Sequence, residues 1–195
     1  MTPLVSDLPK AQLRAIALSK RDALSSDHRD AAARIIETRS LPVRIQASAV
    51  LAGFWPIRSE IDPRPLMKAL EKQGARLVLP VIGARDMPLT FRAWTDDTAL
   101  QKGPLGISQP PDVAQQMAPD IVLVPLAAFD RHGHRIGYGA GLYDRTLTDL
   151  RAQKTIVAIG IAFAVQEIER VPATAHDATL DFVLTEHDTI DFRSL

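Results

Sequence analysis

The chain has 195 residues, 46% hydrophobic and 24% charged, which suits one large domain, spanning 1–195, that can remove roughly 70% of its surface from water on folding. Lys+Arg and Asp+Glu both number 23, so no global basic field exists to hold DNA or RNA, and the absence of cysteine excludes a disulfide framework, thiolate metal sites and cysteine nucleophiles. Met1–Lys20 mixes apolar residues with Lys10, Arg14 and Lys20 instead of forming a signal peptide, and no stretch approaches the ~20 apolar residues of a bilayer span, so the cytosol is the expected address and no membrane partner is expected.

From Pro9 to about Leu24 the pattern predicts a helix with Leu13, Ile16, Ala17 and Leu24 on one side. Lys10, Arg14 and Arg21, four and seven residues apart, share a stripe beside that apolar face. Ser25 or Ser26 can cap a second helix, which Leu41-Pro42 stops. The unalternating apolar run Ala49–Trp55 then predicts a strand covered on both faces. Asp62 can cap a helix that begins with Pro63-Arg64-Pro65 and ends before Gly74. Arg76–Pro80 reads as a second buried strand, and Leu89–Trp94 as a strand by its aromatic and β-branched content.

Thr95–Pro119, rich in Pro, Gly, Gln and Asp, predicts a long loop. Ile121–Pro125 is the third buried strand, His132-Gly133 marks a turn, and Leu142–Ala152 continues as a helix into a strand over Thr155–Ala162. A last strand spans Phe182–Thr185. Buried strands alternating with helices, after two N-terminal helices, predict an α/β fold with a mainly parallel sheet.

Four of the ten glycines, Gly133, Gly137, Gly139 and Gly141, fall within His132–Gly141, where the backbone therefore needs unusual dihedrals or close approach of a ligand. Arg135-Ile136-Gly137-Tyr138-Gly139-Ala140-Gly141-Leu142-Tyr143-Asp144-Arg145 enters a helix whose free amides and dipole favour a phosphate, with Arg135 and Arg145 supplying charge. Neither standard fingerprint fits: a Walker loop ends in Gly-Lys-Ser/Thr, and the dinucleotide motif lies directly between strand and helix. On spacing alone, alternating glycines in a tight turn fit as well as a phosphate loop.

Val122-Leu-Val-Pro125 with Phe129-Asp130, Gly133, Arg135–Gly139 and Gly141–Asp144 resembles the signature segment of the 5-formyltetrahydrofolate cyclo-ligase (methenyltetrahydrofolate synthetase) family. Lys10–Arg14, Phe54–Asp62, Leu89–Trp94 and Asp177–Glu186 resemble its other landmarks, in the same order. The resemblance implies a three-layer α/β/α fold and an ATP- and magnesium-dependent closure of 5-formyltetrahydrofolate to 5,10-methenyltetrahydrofolate with release of ADP and phosphate. By the same resemblance Lys10, Arg14 and Arg135–Tyr143 hold ATP, and Trp55, Glu60 and Tyr138–Leu142 contact the folate. Arg135, Tyr143 and Asp144 act at the reacting centre, and Asp144 and Asp181 bind Mg2+.

The residue chemistry is compatible with these roles. Glu60 can accept paired hydrogen bonds from a pterin, and the Trp55 indole offers apolar surface. Apart from the resemblance, Lys10 and Arg14 would read as a solvated helix face, Asp144 as a first-turn helix acid, Asp181 as a surface residue before a strand, and Trp55 as a core residue at a strand end. Leu142 departs from the family's usual tyrosine, removing a hydroxyl that could meet substrate or nucleotide. No chemistry follows for His176 or Asp177. A folate or nucleotide holder without turnover and a sugar-phosphate isomerase-like enzyme on the same fold stand as alternatives. Small molecules are the expected partners, and a monomer is favoured.

Overall fold

The computed structural model describes residues 8–39, 41–84 and 86–193, so the part of the leader reading that rests on Met1–Asp7 lies outside the described residues. Helix α1, Lys10–Asp22, precedes α2, Ser26–Thr38, whose N-cap Ser25 accepts a hydrogen bond from the His28 amide at 3.2 Å. Strand β1, Val50–Ala52, leads to α3, Arg64–Glu71, and then to β2, Arg76–Val81. The cap of α3 is Pro63 and not Asp62; the Asp62 carboxylate instead accepts from the Arg64 amide at 3.0 Å. The proline ring presets the first helical dihedral, and the aspartate satisfies one of the open donors.

β3, Thr90–Ala93, is followed by a segment that is less irregular than its composition predicts. Within it β4, Gln101–Lys102, pairs antiparallel with β5, Ser108–Gln109, and Leu105 at the hairpin tip has φ 63°. β6, Ile121–Pro125, comes next; β7, Ala128–Phe129, then pairs with β8, Arg135–Ile136, before α4, Leu142–Gln153. β9, Val157–Ile161, β10, Phe182–Leu184, and β11, Thr189–Asp191, complete the sheet.

The seven-stranded order is β11-β10-β9-β6-β1-β2-β3. Its five inner strands are mutually parallel, while β3 and β11 close the two edges antiparallel. Side chains alternate between two cores. Leu51, Leu77, Leu79, Leu123 and Ile159 face Ile36 of α2 and Leu66 and Met67 of α3, whereas Ala52, Val78, Val122, Val124 and Ala158 face Leu147 and Leu150 of α4. A period of two in strands buried on both faces produces the unbroken apolar runs of the sequence and makes the three-layer α/β/α architecture. A third, smaller cluster of Leu13, Ala17, Ala128, Ile136 and Val171 seats α1 against the β7–β8 ribbon. Among the described residues no helix is long and apolar enough to cross a membrane.

Candidate active site

The chain steps from β1 outward to β2 on one side and from β6 to β9 on the other, so strand order reverses between β1 and β6. In open α/β sheets ligands bind outside the carboxyl ends of the strands at such a switch point. A cleft of about 570 Å³ lies there, lined by Phe54 and Trp55 after β1, Pro80 and Ile82 at the end of β2, and Pro125 at the end of β6. The glycine loop forms another wall through Gly137, Tyr138 and Ala140–Asp144, and the β4–β5 hairpin contributes Leu105–Ile107.

The loop is held from below. Asp130, fully buried, accepts hydrogen bonds from the amides of His132, His134 and Val171 at 2.9, 3.0 and 2.9 Å, fixing the turn in which Gly133 has φ 82°. Gly139 and Gly141 have φ of 100° and 62°, and Gly141 caps α4 in the left-handed conformation without a side-chain cap bond. The first amides of α4 are thereby left for another acceptor. A Cβ on Gly139 would lie 3.7 Å from the Arg14 guanidinium, so space is available and only the backbone forbids it. Gly139→Ala is accordingly expected to cost about 1–3 kcal/mol. The urea midpoint checks this, an unchanged midpoint meaning that the loop relaxes.

The N-terminal stripe is not a solvated face. Arg14 Nε donates to the Gly137 carbonyl at 2.6 Å and Lys10 Nζ donates to Asp177 at 2.5 Å. Arg21, only 2% exposed, donates to the Tyr138 hydroxyl at 2.5 Å and to Ser59 at 3.0 Å. Burial works against the charge of Asp177, but bonds from Lys10 and Thr174 outweigh it and hold the carboxyl below its ordinary range.

Arg135, 5% exposed, donates to Asp144 Oδ1 at 2.8 Å and to the Ala178 carbonyl. Its burial lowers the guanidinium pKa, and Asp144 opposes that shift. Asp144 Oδ1 also accepts from the Ala178 amide at 3.2 Å, while Oδ2 has no hydrogen bond among the described residues. Burial raises the Tyr138 and Tyr143 phenols well above their ordinary range, so both are neutral donors at working pH. Leu142 faces the cleft with its apolar side chain and also packs against the α4 core. Ile136, 1% exposed, belongs to the cluster beneath α1 and supports the loop from inside.

At the other wall Glu60 accepts from the Ile57 amide at 2.8 Å, and the Tyr138 phenol acts on its carboxylate. Desolvation raises its carboxyl pKa, and Tyr138, the Ile57 amide and Arg21 offset only part of that shift. Trp55 is half-buried: it packs edge-on against Trp94, 6.2 Å between ring centroids, lies under Arg64 at 4.6 Å, and still lines the cleft. It serves the core and the cleft at once.

Asp181 does not join this group. Its carboxylate accepts from Arg151 at 2.9 Å and from the Ala158 amide at 2.7 Å, at the amino end of β10 and the last turn of α4. Asp144 is in the first turn, seven residues or about 10 Å along the helix axis from Arg151. The expected pairing of Asp144 and Asp181 on one metal is therefore corrected: position before a strand puts Asp181 at the amino end of the sheet, and the cleft is at the carboxyl end. Two residues went unassigned in the sequence. Arg21 was visible as the third member of the stripe, but its burial was not; Asp177 stood in a landmark segment without a readable role, because its partner Lys10 is 167 positions away.

If Glu60 has the folate role that the family resemblance implies, Glu60→Gln is expected to weaken folate binding by about tenfold or more and leave ATP binding within about twofold, since an amide cannot accept two donors as a carboxylate does. Separate titrations with the two ligands decide it. A folded-state pKa raised above the unfolded value means that Glu60's contribution to stability is present below the unfolded pKa and lost as pH rises through the folded one. The same variant should therefore melt higher than the parent at neutral pH, the gain vanishing in acid.

Fold and cleft together define an open α/β protein with a ligand site at the switch point of its sheet, bordered by a glycine loop and a cationic helix. The chain belongs to the 5-formyltetrahydrofolate cyclo-ligase family, whose profile matches residues 7–186. It is 31% identical to the 5-formyltetrahydrofolate cyclo-ligase of Escherichia coli (strain K12) over 173 residues, 85% of this chain and 94% of that protein. With the enzyme of that name from Mycolicibacterium smegmatis it shares 31% over 191 residues, 93% of this chain and 95% of the relative. The NMR structure of Aquifex aeolicus 5,10-methenyltetrahydrofolate synthetase matches with TM-score 0.79 at 29% identity, over 95% of this chain and 94% of that one. The corresponding Mycoplasma pneumoniae structure gives 0.69 at 25%, over 92% and 99%.

Proposed function

We propose that this chain, as one domain over 1–195, closes 5-formyltetrahydrofolate to 5,10-methenyltetrahydrofolate at the expense of ATP, releasing ADP and phosphate. The observation that carries the reading is the joining of Arg14 to the Gly137 carbonyl at 2.6 Å, which sets a cationic helix on the glycine loop, with Glu60 in the same cleft. The formyl oxygen attacks the γ-phosphorus and ADP departs; N10 then attacks the activated formyl carbon, loses its proton, and the C–O bond breaks to release phosphate. Hydroxide is a poor leaving group and phosphate a good one, so the triphosphate is a chemical necessity. The protein contributes positioning and charge.

In this reading Lys10, Arg14, the loop Arg135–Tyr143 and the uncapped amides of α4 hold the triphosphate. Trp55 and Glu60 hold the pterin, and Tyr138–Leu142 lie between the two ligands. Arg135 acts by charge and by fixing Asp144, and Tyr143 as a neutral donor. The donor set fits Mg2+ through Asp144, a hard carboxylate with one uncommitted oxygen, completed by nucleotide phosphates and water, as is usual for this ion. Bound there, Mg2+ would neutralise phosphate charge. Asp181 is left to its structural pairing with Arg151. Cytoplasmic location and a monomeric, small-molecule enzyme are part of the same proposal.

Methenyltetrahydrofolate formation followed by absorbance, with ATP and magnesium omitted in turn, is the test. Product only when both are present is expected. Binding without turnover would replace the enzyme by a holder, and turnover without ATP would point to isomerase-like chemistry.

A further inference from the structure

Arg21 is the one member of the α1 stripe for which the proposed reaction, as described above, has no use. An arginine 2% exposed is uncommon and costs stability unless it is paired and hydrogen-bonded. Among the described residues its hydrogen-bond acceptors lie on the folate side of the cleft or its border, Tyr138 Oη at 2.5 Å from Nη1 and Ser59 Oγ at 3.0 Å from Nε, and Asp22, next to it in α1, is 3.7 Å away. The guanidinium carbon also lies 5.8 Å from the Tyr138 ring centroid. Arg21 and Glu60 line one small internal space together with Phe54 and Gln166.

We infer that Arg21 is a positioning residue for the folate, holding the Tyr138 phenol and the Ser59 turn in the arrangement that presents the Glu60 carboxylate to the cleft. The inference rests on the proposed folate role of Glu60. Arg21 has only donors, so the Tyr138 oxygen accepts from it, and the phenolic proton is left for the Leu126 carbonyl, 3.5 Å away, or for the neighbouring Glu60 carboxylate, on which the phenol acts. The groups that act on Glu60 are Arg21 from α1, Tyr138 from the glycine loop, Tyr143 from α4 and the Ile57 amide of its own loop. Arg21 is the only cation among them, and it counters the desolvation that burial imposes on the carboxylate. A residue that merely packed α1 would stabilise the fold and affect both ligands alike; one that presents Glu60 acts on folate and on its pH dependence.

The test is steady-state kinetics of the full chain between about pH 5 and 9 for the parent, R21M, R21Q and R21K, with KM measured separately for 5-formyltetrahydrofolate and ATP. R21M and R21Q are expected to raise the folate KM about tenfold or more, to leave the ATP KM within about twofold, and to move the acid limb of folate kcat/KM upward by about one pH unit. R21K, which keeps the charge, should return that limb to the parental position and recover part of the KM. An acid limb that stays in place in R21Q, or equal rises in both KM values, overturns the role given to Arg21. If R21M does not fold, R21Q decides on the same readouts. A parent that forms no methenyl product in the presence of ATP overturns the proposed function and this inference with it; a parent that turns over while R21Q behaves as a packing variant overturns the inference alone.

Discussion

Replacing Lys10 and Arg14 together with alanine is expected to raise the ATP concentration for half-maximal turnover by about a hundredfold while folate affinity changes by no more than about twofold. Each charge-assisted hydrogen bond is worth about 1.5–3 kcal/mol, and about 1.4 kcal/mol is a factor of ten. Arg14 has a double function: its 2.6 Å bond fixes the Gly137 carbonyl, and its charge lies against Gly139, where a phosphate would approach. Lys10 is paired with Asp177 at 2.5 Å, so its removal also leaves a partly buried carboxylate beside the anion site, adding repulsion to lost attraction. Initial rates over an ATP series at saturating folate measure the effect. An unchanged ATP dependence would mean that the stripe only fastens the helix to the loop.

Asp144→Asn is expected to lower turnover by about a hundredfold to a thousandfold, the range for loss of an electrostatic group at the reacting centre. The structure adds a second consequence. Arg135 has a side chain 3% exposed and Asp144 as its ion-pair partner, so the variant leaves a nearly buried guanidinium with only the weaker influence of Asp177 as counter-charge. Removing one member of a fully buried pair costs about 3–5 kcal/mol, and with Asp144 29% exposed about 1–3 kcal/mol is expected here. The sequence alone makes Asp144 a helix-end acid with a stability contribution of at most about 1 kcal/mol. Thermal melting read beside single-turnover rates separates the two effects. Near-normal turnover at saturating magnesium would reduce Asp144 to a partner of Arg135.

The strands were legible because both faces of the sheet are covered. Ile121–Pro125 and Arg76–Val81 carry apolar residues at every inward position of two cores, and no loop or surface strand has that composition. β11 was not legible: Thr189–Asp191 is a short edge strand held by a single neighbour, and nothing in its composition distinguishes it from a loop. Nor was the β4–β5 hairpin, whose pairs Gln101↔Gln109 and Lys102↔Ser108 bury little apolar surface and leave no periodic trace. In the site, glycine spacing marked the loop because positive φ at Gly139 and Gly141 demands glycine. The carboxylates were harder to assign. Both came from the family resemblance, which weighs residue type and landmark order but not the fact that a residue just before a strand lies at its amino end, away from the cleft, and so Asp181 looked as suitable as Asp144. The burial of Arg21 depends on Tyr138, 117 positions away, a separation no local pattern records.

The seating of α1 on the β7–β8 ribbon has a consequence for the order of assembly. Three of its contacts with the cleft span 167, 123 and 117 positions of chain, so α1, although made early, has only Ser59 as a side-chain partner in the site region until the glycine loop has been made, and its full seating waits for Asp177. Contacts of such separation carry the largest loop-closure entropy and form late. The strands β1, β2 and β3, with α2 and α3 packed over them, can assemble while α1 is still unengaged. The glycine-loop wall of the cleft is then completed by a late docking event of folding, and under the proposed function the triphosphate site is assembled only with it.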